Sequence, residues 1–320
     1  MLGHIYCVSA ISVDRVFKID HLPQRDEKIF AAEMEEQAGG QGLWTARALA
    51  SWRAPVTFVT CVGDDAAGRW LATEMSSIEG LDVALTTLPG RASATCVILV
   101  DPSGEKALVL SPSEAAIVSG LGKNIAPTPG DVVTANFFHP GVQSVFAQAR
   151  ANGATTILDL EQPGLSMWGW DAALRALDEA DIVCSNAKTL EWWNEGERVA
   201  GDLLARAHAF ATRLGERAVR VCVTLGRDGV LALDRGETFH LAAETISVRN
   251  STGAGDTFLA GLAFATLHSA PFTDAVRFAS AAAAQFLTAG NGQLADLQAR
   301  YRRLGGDHDF ISWPAVRLEG

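Results

Sequence analysis

Positive charge is scarce in this sequence. Its 320 residues include 26 Lys and Arg against 37 Asp and Glu, which gives a formal net charge of −11 at pH 7. Proteins that bind nucleic acid neutralise its phosphates with Lys and Arg. The charge balance therefore argues against general nucleic-acid binding, and it carries no information about the fold.

Long apolar runs and patterned cysteines are missing too. No stretch of about 18 apolar residues occurs, so no transmembrane helix is expected, and residues 1–10 lack the basic segment and cleavage site of a secretory signal. The cysteines lie singly in apolar runs, without the spacing of metal ligands. We expect buried thiols in a cytoplasmic protein that has no membrane partner. The cysteines are Cys7, Cys61, Cys96, Cys184 and Cys222.

Short apolar runs alternate with helical patterns along most of the chain. This alternation predicts an α/β fold, in which helices cover both faces of a mostly parallel sheet. The predicted strands are 5–9, 56–61, 132–135, 156–160, 182–185 and 219–224. The predicted helices are 42–51, 66–77, 142–151, 170–180, 203–214, 255–267 and 272–288.

Two regions break the alternation. Residues 13–19 and 28–37 are strand-like with mixed polarity, and 94–100 and 106–111 flank the turn sequence Asp101-Pro-Ser-Gly104. We expect a small, partly exposed sheet, with strands from about 12–38 and 93–111, within one domain that spans residues 1–320. An uncovered apolar face favours a partner, so this sheet would form a lid or a dimer surface.

The segment with the most chemical content is Asn250-Ser-Thr-Gly-Ala-Gly-Asp256-Thr-Phe258. A strand-like run, 243–248, precedes it, and a strong helical pattern follows. Gly253 and Gly255 would let backbone amides approach a ligand, and amides at a helix N-terminus favour an anion such as phosphate. Asp256 would then take a proton from an attacking hydroxyl. The same residues also fit an ordinary Gly-rich helix start with a first-turn acid.

The segment lacks the Gly-Lys-Ser/Thr of a Walker A loop and lies too far from the first strand to be a dinucleotide fingerprint. Residues 252–258, Thr-Gly-Ala-Gly-Asp-Thr-Phe, closely resemble the C-terminal signature of the ribokinase-like (PfkB) carbohydrate kinases. Gly39-Gly40, with the following helix and the stretch 59–68, is similar to the N-terminal signature. Asp14 matches the substrate-binding aspartate of that family, and 223–229 resembles its nucleotide-side loop. The resemblance covers nearly the whole chain in the right order.

The resemblance implies a fold, a reaction and a site. The fold would be a three-layer α/β/α sandwich with a mostly parallel central sheet and a small β lid. The reaction would be phosphate transfer from ATP, accompanied by Mg²⁺, to a hydroxyl of a small sugar-like substrate. The uncovered apolar face of the small sheet, noted above, would join two copies of the chain in a homodimer. The implied site comprises Asp256 as the base, the anion-hole residues Gly253, Ala254 and Gly255, the substrate residues Asp14, Gly39 and Gly40, and the nucleotide residues Asn186, Thr224 and Gly226.

The sequence departs from the family pattern at three places. The usual Asn-x-x-Glu reads Asn186-Ala-Lys-Thr189, so Glu191 is the nearest acid for the water shell of Mg²⁺. Asn250 replaces an aspartate in a region where relatives often bind a monovalent cation, which leaves potassium activation open. Trp44 replaces part of an Asn-rich stretch and fits either helix packing or the substrate pocket.

Two alternatives use the same residues. A nucleoside kinase for adenosine-like substrates would share the fold and the site geometry. A non-catalytic ligand-binding member would keep the fold without the reaction. The intact Asp256 and both of its glycines argue against the second alternative, whereas the altered Asn-x-x-Glu favours it.

Overall fold

The computed structural model describes residues 3–104, 106–111, 121–122, 125–138, 140–248 and 253–311. Their strands are β1 (Ile5–Val8), β2 (Ser12–Lys18), β3 (Glu33–Gly39), β4 (Val56–Gly63), β5 (Asp82–Leu88), β6 (Ala94–Val100), β7 (Lys106–Ser111), β8 (Val132–Ala135), β9 (Thr155–Leu160), β10 (Ile182–Asn186), β11 (Arg220–Thr224), β12 (Val230–Asp234) and β13 (Glu237–Leu241). Their helices are α1 (Gln41–Ser51), α2 (Ala66–Ser76), α3 (Pro140–Ala151), α4 (Gln162–Trp168), α5 (Trp170–Leu177), α6 (Ala187–Glu197), α7 (Leu203–Gly215), α8 (Ala254–Leu267), α9 (Phe272–Ala289) and α10 (Leu294–Arg303). None of the helices in these ranges is long and apolar enough to cross a bilayer.

The larger sheet has nine strands in the order β13-β12-β11-β10-β9-β8-β1-β4-β5. Seven neighbouring strands run parallel, namely β11, β10, β9, β8, β1, β4 and β5. Strands β12 and β13 extend the sheet beyond β11 in antiparallel pairs. All six strands predicted for this sheet are present, because each is a continuous apolar run that can be buried on both faces. The predicted α/β fold is therefore confirmed.

Apolar cores cover both faces of this sheet. Residues at alternate positions of each strand belong to opposite cores, as in Ile157 and Leu158 of β9. Helices α1, α2, α8, α9 and α10 pack on one face, and α3 to α7 pack on the other. All five cysteines are buried, as the sequence predicted. The result is a three-layer arrangement with the sheet in the middle.

A second sheet has four strands in the order β3-β2-β6-β7. The β2–β6 pair is parallel, and β2–β3 and β6–β7 are antiparallel. The predicted hairpin 94–100/106–111 is present with those bounds. The strand predicted at 28–37 begins only at Glu33 and runs to Gly39, since residues 28–32 are mostly exposed and lie outside the ladder. Ser12 pairs with Gly39, so this sheet leads directly into α1.

The sequence-based reading missed β5, β12 and β13, and it placed a strand at 243–248 where the structure has none. The register explains the second error. Val230 is the first residue of β12 and pairs with Leu241, the last residue of β13. Residues beyond Leu241 therefore face the turn before β12, where no strand residue is available to continue the ladder.

Candidate active site

The carboxyl ends of four central strands carry polar side chains on the face of the sheet that α8 covers. Val132, Ile157, Cys184 and Cys222 lie in the apolar core on this face. Side chains alternate between the two faces along a strand, so a residue two or four positions after one of these lies on the same face of the sheet. Open parallel sheets bind ligands at this edge. The residues concerned are Asn136, Asp159, Asn186 and Thr224.

Helix α8 begins at the same edge. Gly253 precedes it with φ of +89°, a conformation that L-residues rarely adopt. Gly255 is exposed and Ala254 is half-buried, so the first helical turn faces open space. Its amides have no partner within the helix and can donate to an anion. Residues 249–252, with Asn250 and Thr252, lie outside the described part of the chain.

Asp256 lies in the first turn of α8, and its side chain is buried, with 8% of the residue surface exposed. The Thr45 hydroxyl of α1 donates to its backbone oxygen over 3.2 Å, which ties the two helices together. Burial raises the pKa of Asp256 well above the usual aspartate value, and the charge of Glu161 raises it further. A carboxylate with a raised pKa is a better proton acceptor at neutral pH.

Asp14 and Gly39 are in close contact where β2 and β3 meet α1. A Cβ on Gly39 would lie only 1.8 Å from Asp14 Oδ2, so the carboxylate occupies the space that a side chain would need. Ser12 Oγ donates to Asp14 Oδ1 over 2.6 Å. Burial raises the pKa of Asp14, and Ser12 and the charge of Arg47 oppose the rise. Gly40 follows with φ of +100° and is the N-cap residue of α1.

Glu161 connects this region to the nucleotide residues that the sequence predicted. Gln41, the first residue of α1, donates through Nε2 to Glu161 Oε2 over 2.5 Å. Asn186 donates through Nδ2 to Glu161 Oε1 over 3.1 Å. Burial raises the pKa of Glu161, and Gln41, the charge of Lys188 and Asn186 oppose the rise. One carboxylate therefore bridges α1 and the end of β10.

Asn186 and Thr224 are cross-strand partners at the ends of β10 and β11. Asn186 also caps α6, because its Oδ1 accepts from the amide of Thr189 over 3.0 Å. Gly226 follows Thr224 with φ of +61°, and a Cβ there would meet no atom within 4 Å. The three predicted nucleotide residues thus lie together at an open turn.

Two residues that the sequence singled out have different surroundings. Glu191 is exposed on α6, five residues beyond the cap residue Asn186. Trp44 is half-buried on α1, where its ring meets Phe286 edge-on at 6.4 Å and the Arg47 guanidinium stacks over it at 5.5 Å. Trp44 therefore packs between helices beside the start of α8.

Asp159 and Glu161 were missed by the sequence-based reading. Burial raises the pKa of Asp159 well above its usual value, with Glu161 and Asp256 adding to the rise, so the three acids lie near one another. The signal was present in β9 and the residue that follows it, because Ile157, Asp159 and Glu161 alternate with the apolar residues Leu158 and Leu160. Acids at alternate positions at the end of a buried strand point to one face at the ligand edge.

The open sheet, its polar carboxyl edge and the glycine-flanked start of α8 define an α/β protein of the kind that binds small ligands at the strand ends. Residues 3–299 match the pfkB family carbohydrate kinase, and the chain belongs to this family. The resemblance seen in the sequence is thereby confirmed.

Relatives and solved structures agree with this assignment. Ribokinase of Haemophilus influenzae is 25% identical over 293 residues, which cover 89% of this chain and 92% of that protein. The bifunctional protein HldE of a Bradyrhizobium species is 27% identical over 278 residues, and the match spans 82% of this chain but only 54% of HldE. Ribokinase of Arabidopsis thaliana, solved with ribose and ATP, has a TM-score of 0.74 at 22% identity and covers 96% of this chain and 100% of its own. The last likeness shows the fold.

Proposed function

We propose that this carbohydrate kinase transfers the γ-phosphoryl group of ATP to a hydroxyl of a small sugar, with Asp256 as the base. The observation that carries the proposal is the position of Asp256 in the first turn of α8, beside amides that have no helical partner. The Asp14–Gly39 contact supports a substrate side, and the Asn186–Thr224 pair supports a nucleotide side.

The reaction follows from these positions. Asp256 accepts the proton of the substrate hydroxyl as the hydroxyl oxygen bonds to the γ-phosphorus. The bond between this phosphorus and the β,γ-bridging oxygen breaks, and ADP leaves with the electron pair. The amides that follow Gly253 donate to the phosphoryl oxygens, whose charge they stabilise during transfer.

We infer that Mg²⁺ accompanies ATP as its counter-charge. Among the described residues, no group of three or more His, Cys, Asp or Glu side chains could hold a metal alone. Mg²⁺ does not require such a group, because it usually keeps several waters and binds through one or two carboxylates plus substrate phosphates. The ion would neutralise phosphate charge during transfer.

A panel of acceptors tests the proposal. Ribose comes first, because ATP and ribose are the ligands of the Arabidopsis ribokinase structure. Phosphorylated product from a sugar, detected by ³¹P NMR, would support the proposal, and product from adenosine-like nucleosides alone would favour a nucleoside kinase. Binding of ATP with no acceptor phosphorylated, across both panels, would favour a non-catalytic member of the family.

Gly39→Ala should raise the KM for the sugar without changing the KM for ATP. The new Cβ would displace the Asp14 carboxylate, and a lost hydrogen bond to a charged group corresponds to about 10- to 100-fold in affinity. Steady-state kinetics with each substrate varied in turn would measure the effect. Gly196→Ala is the control, since a Cβ at that position in α6 meets no atom within 4 Å. An unchanged sugar KM in Gly39→Ala would contradict the role of Asp14.

We propose that a second copy of the chain covers the small sheet. Leu108, Val109 and Leu110 are exposed along the edge strand β7, and Met34 is exposed on β3. Light scattering after size exclusion should give a dimer for the wild type and a monomer for Leu108→Glu/Leu110→Glu. Val219→Glu, at the exposed residue that precedes β11, should leave the mass unchanged. A monomeric wild type would overturn this proposal.

A further inference from the structure

The first turn of α6 offers no carboxylate to a cation. Thr189 is fully buried, and its hydroxyl donates to Asn186 Oδ1 over 3.1 Å while accepting from the amide of Gln162 over 3.0 Å. The next acid on this helix, Glu191, is exposed. The acid that contacts Asn186 is Glu161, which lies outside α6.

The register of the sheet brings Glu161 to Asn186. Leu160 pairs with Ser185 across β9 and β10, so the residues that follow them are side by side at the carboxyl edge. Asn186 Nδ2 donates to Glu161 Oε1 over 3.1 Å. Glu161 falls on the same face as Ile157 and Asp159, which is the face that α8 covers.

The Glu161 carboxylate is held in one orientation but keeps capacity for a further ligand. Gln41 and Asn186 each donate one hydrogen bond, one to each oxygen. A carboxylate can accept about four, so each oxygen retains a free lone pair. The residue is half-buried, whereas Asp159 lies deeper, within β9. Two neutral donors thus fix a negative charge at the point where the two sides of the site meet.

A second, independent observation points to a ligand at this edge. Asn136 is buried at the end of β8, and its side chain faces Asp159, where it opposes the rise in the pKa of that acid. Its Nδ2 nevertheless makes no hydrogen bond of good geometry to any described residue. A buried amide donor without a partner costs free energy unless a ligand or an ordered water satisfies it. A phosphate oxygen or a water held by a cation would do so.

We propose that Glu161 is the carboxylate that orients the hydrated divalent cation accompanying ATP, in place of an acid on α6. The inference rests on the proposed function. It follows the preference of Mg²⁺ for one or two carboxylates together with phosphate oxygens and water. Gln41 and Asn186 are then positioning residues, because they fix the orientation of the carboxylate.

Metal binding tests the inference without turnover. Mn²⁺ would be titrated into the protein saturated with a non-hydrolysable ATP analogue, and free Mn²⁺ followed by EPR. Glu161→Gln should weaken Mn²⁺ affinity by about 10- to 100-fold, the usual effect of losing such a group. Glu191→Gln removes the same charge from the exposed acid and should leave the affinity unchanged. Glu161→Asp, which keeps the charge but shortens the side chain, provides a second variant if Glu161→Gln does not fold.

Binding of the analogue in the presence of Mg²⁺, measured by calorimetry, distinguishes a failure of the proposed function from a failure of the inference alone. If the wild type binds no analogue, the proposed function fails and the inference fails with it. If the analogue binds and both Glu161 variants bind Mn²⁺ as the wild type does, the inference alone is overturned. A loss of affinity in Glu191→Gln instead of Glu161→Gln would overturn it as well.

Discussion

Asp256→Asn should lower kcat by about 10²- to 10⁴-fold, because the amide cannot accept the proton of the sugar hydroxyl. The affinity for an ATP analogue should persist, since the amides of the α8 N-terminus remain. Initial rates with saturating sugar and ATP, together with calorimetry of analogue binding, would measure both effects. A kcat close to that of the wild type would remove the base assignment.

The same substitution should raise the melting temperature at neutral pH. Folding raises the pKa of Asp256, so its ionised form opposes folding. Protonated Asp256 contributes stability that is fully present below the unfolded pKa of about 3.9. This contribution is lost as the pH rises through the folded pKa. An asparagine does not titrate, so the gain in melting temperature should shrink as the pH falls toward the unfolded value.

Asp274→Asn is the matched control for both effects. Asp274 is also 8% exposed, but it lies in the first turn of α9 and accepts hydrogen bonds from Tyr301 over 2.8 Å and Arg277 over 3.3 Å. Its substitution should lower the melting temperature, because two donors lose a charged acceptor, and should leave kcat unchanged. A fall in kcat as large as that of Asp256→Asn would indicate a general effect of losing a buried acid.

Local sequence was sufficient for the main strands and for the start of α8. The continuous apolar runs of β8 and β10 predicted buried strands, and Gly253 with Asp256 marked the helix start within four residues. Neither the strands nor the helix start depends on a distant part of the chain, because neighbouring residues indicate both strand burial and helix boundaries.

The bridging role of Glu161 could not be read from the sequence in the same way. It depends on the β9–β10 register and on a contact with Gln41, which is 120 positions away along the chain. From the local sequence alone, Glu161 is only a polar residue that follows a strand. The antiparallel strands β12 and β13 were missed for a related reason, since their pairing with each other depends on the turn between them.

Packing around Gly253 shows how the start of α8 is held. A Cβ at this position would lie 3.1 Å from Phe286 Cζ, and Trp44 Cδ2 is 3.8 Å away. Rings from α1 and α9 therefore close one side of the glycine, while the first helical turn remains open on the other. This explains the bulky Trp44 at a place where the sequence also allowed a pocket role, because its ring supports the backbone at the start of α8.

Gly253→Ala should lower kcat by about 10²- to 10³-fold, the effect of losing one donor that stabilises transition-state charge. The left-handed backbone at φ of +89° disfavours alanine, and the added methyl group presses on Phe286, so the amides that follow must shift. Single-turnover rates of phosphoryl transfer would measure the loss directly, because they exclude product release.

Gly236→Ala separates this effect from general backbone strain. Gly236 has φ of +92° in the β12–β13 turn, and a Cβ there would meet no atom within 4 Å. Both substitutions should cost about 1–2 kcal/mol of stability, because each forces alanine into the left-handed region. Only Gly253→Ala should slow phosphoryl transfer, since only its backbone leads into the first turn of α8. Equal transfer rates in the two variants would mean that the amides after Gly253 do not stabilise the transferred phosphate.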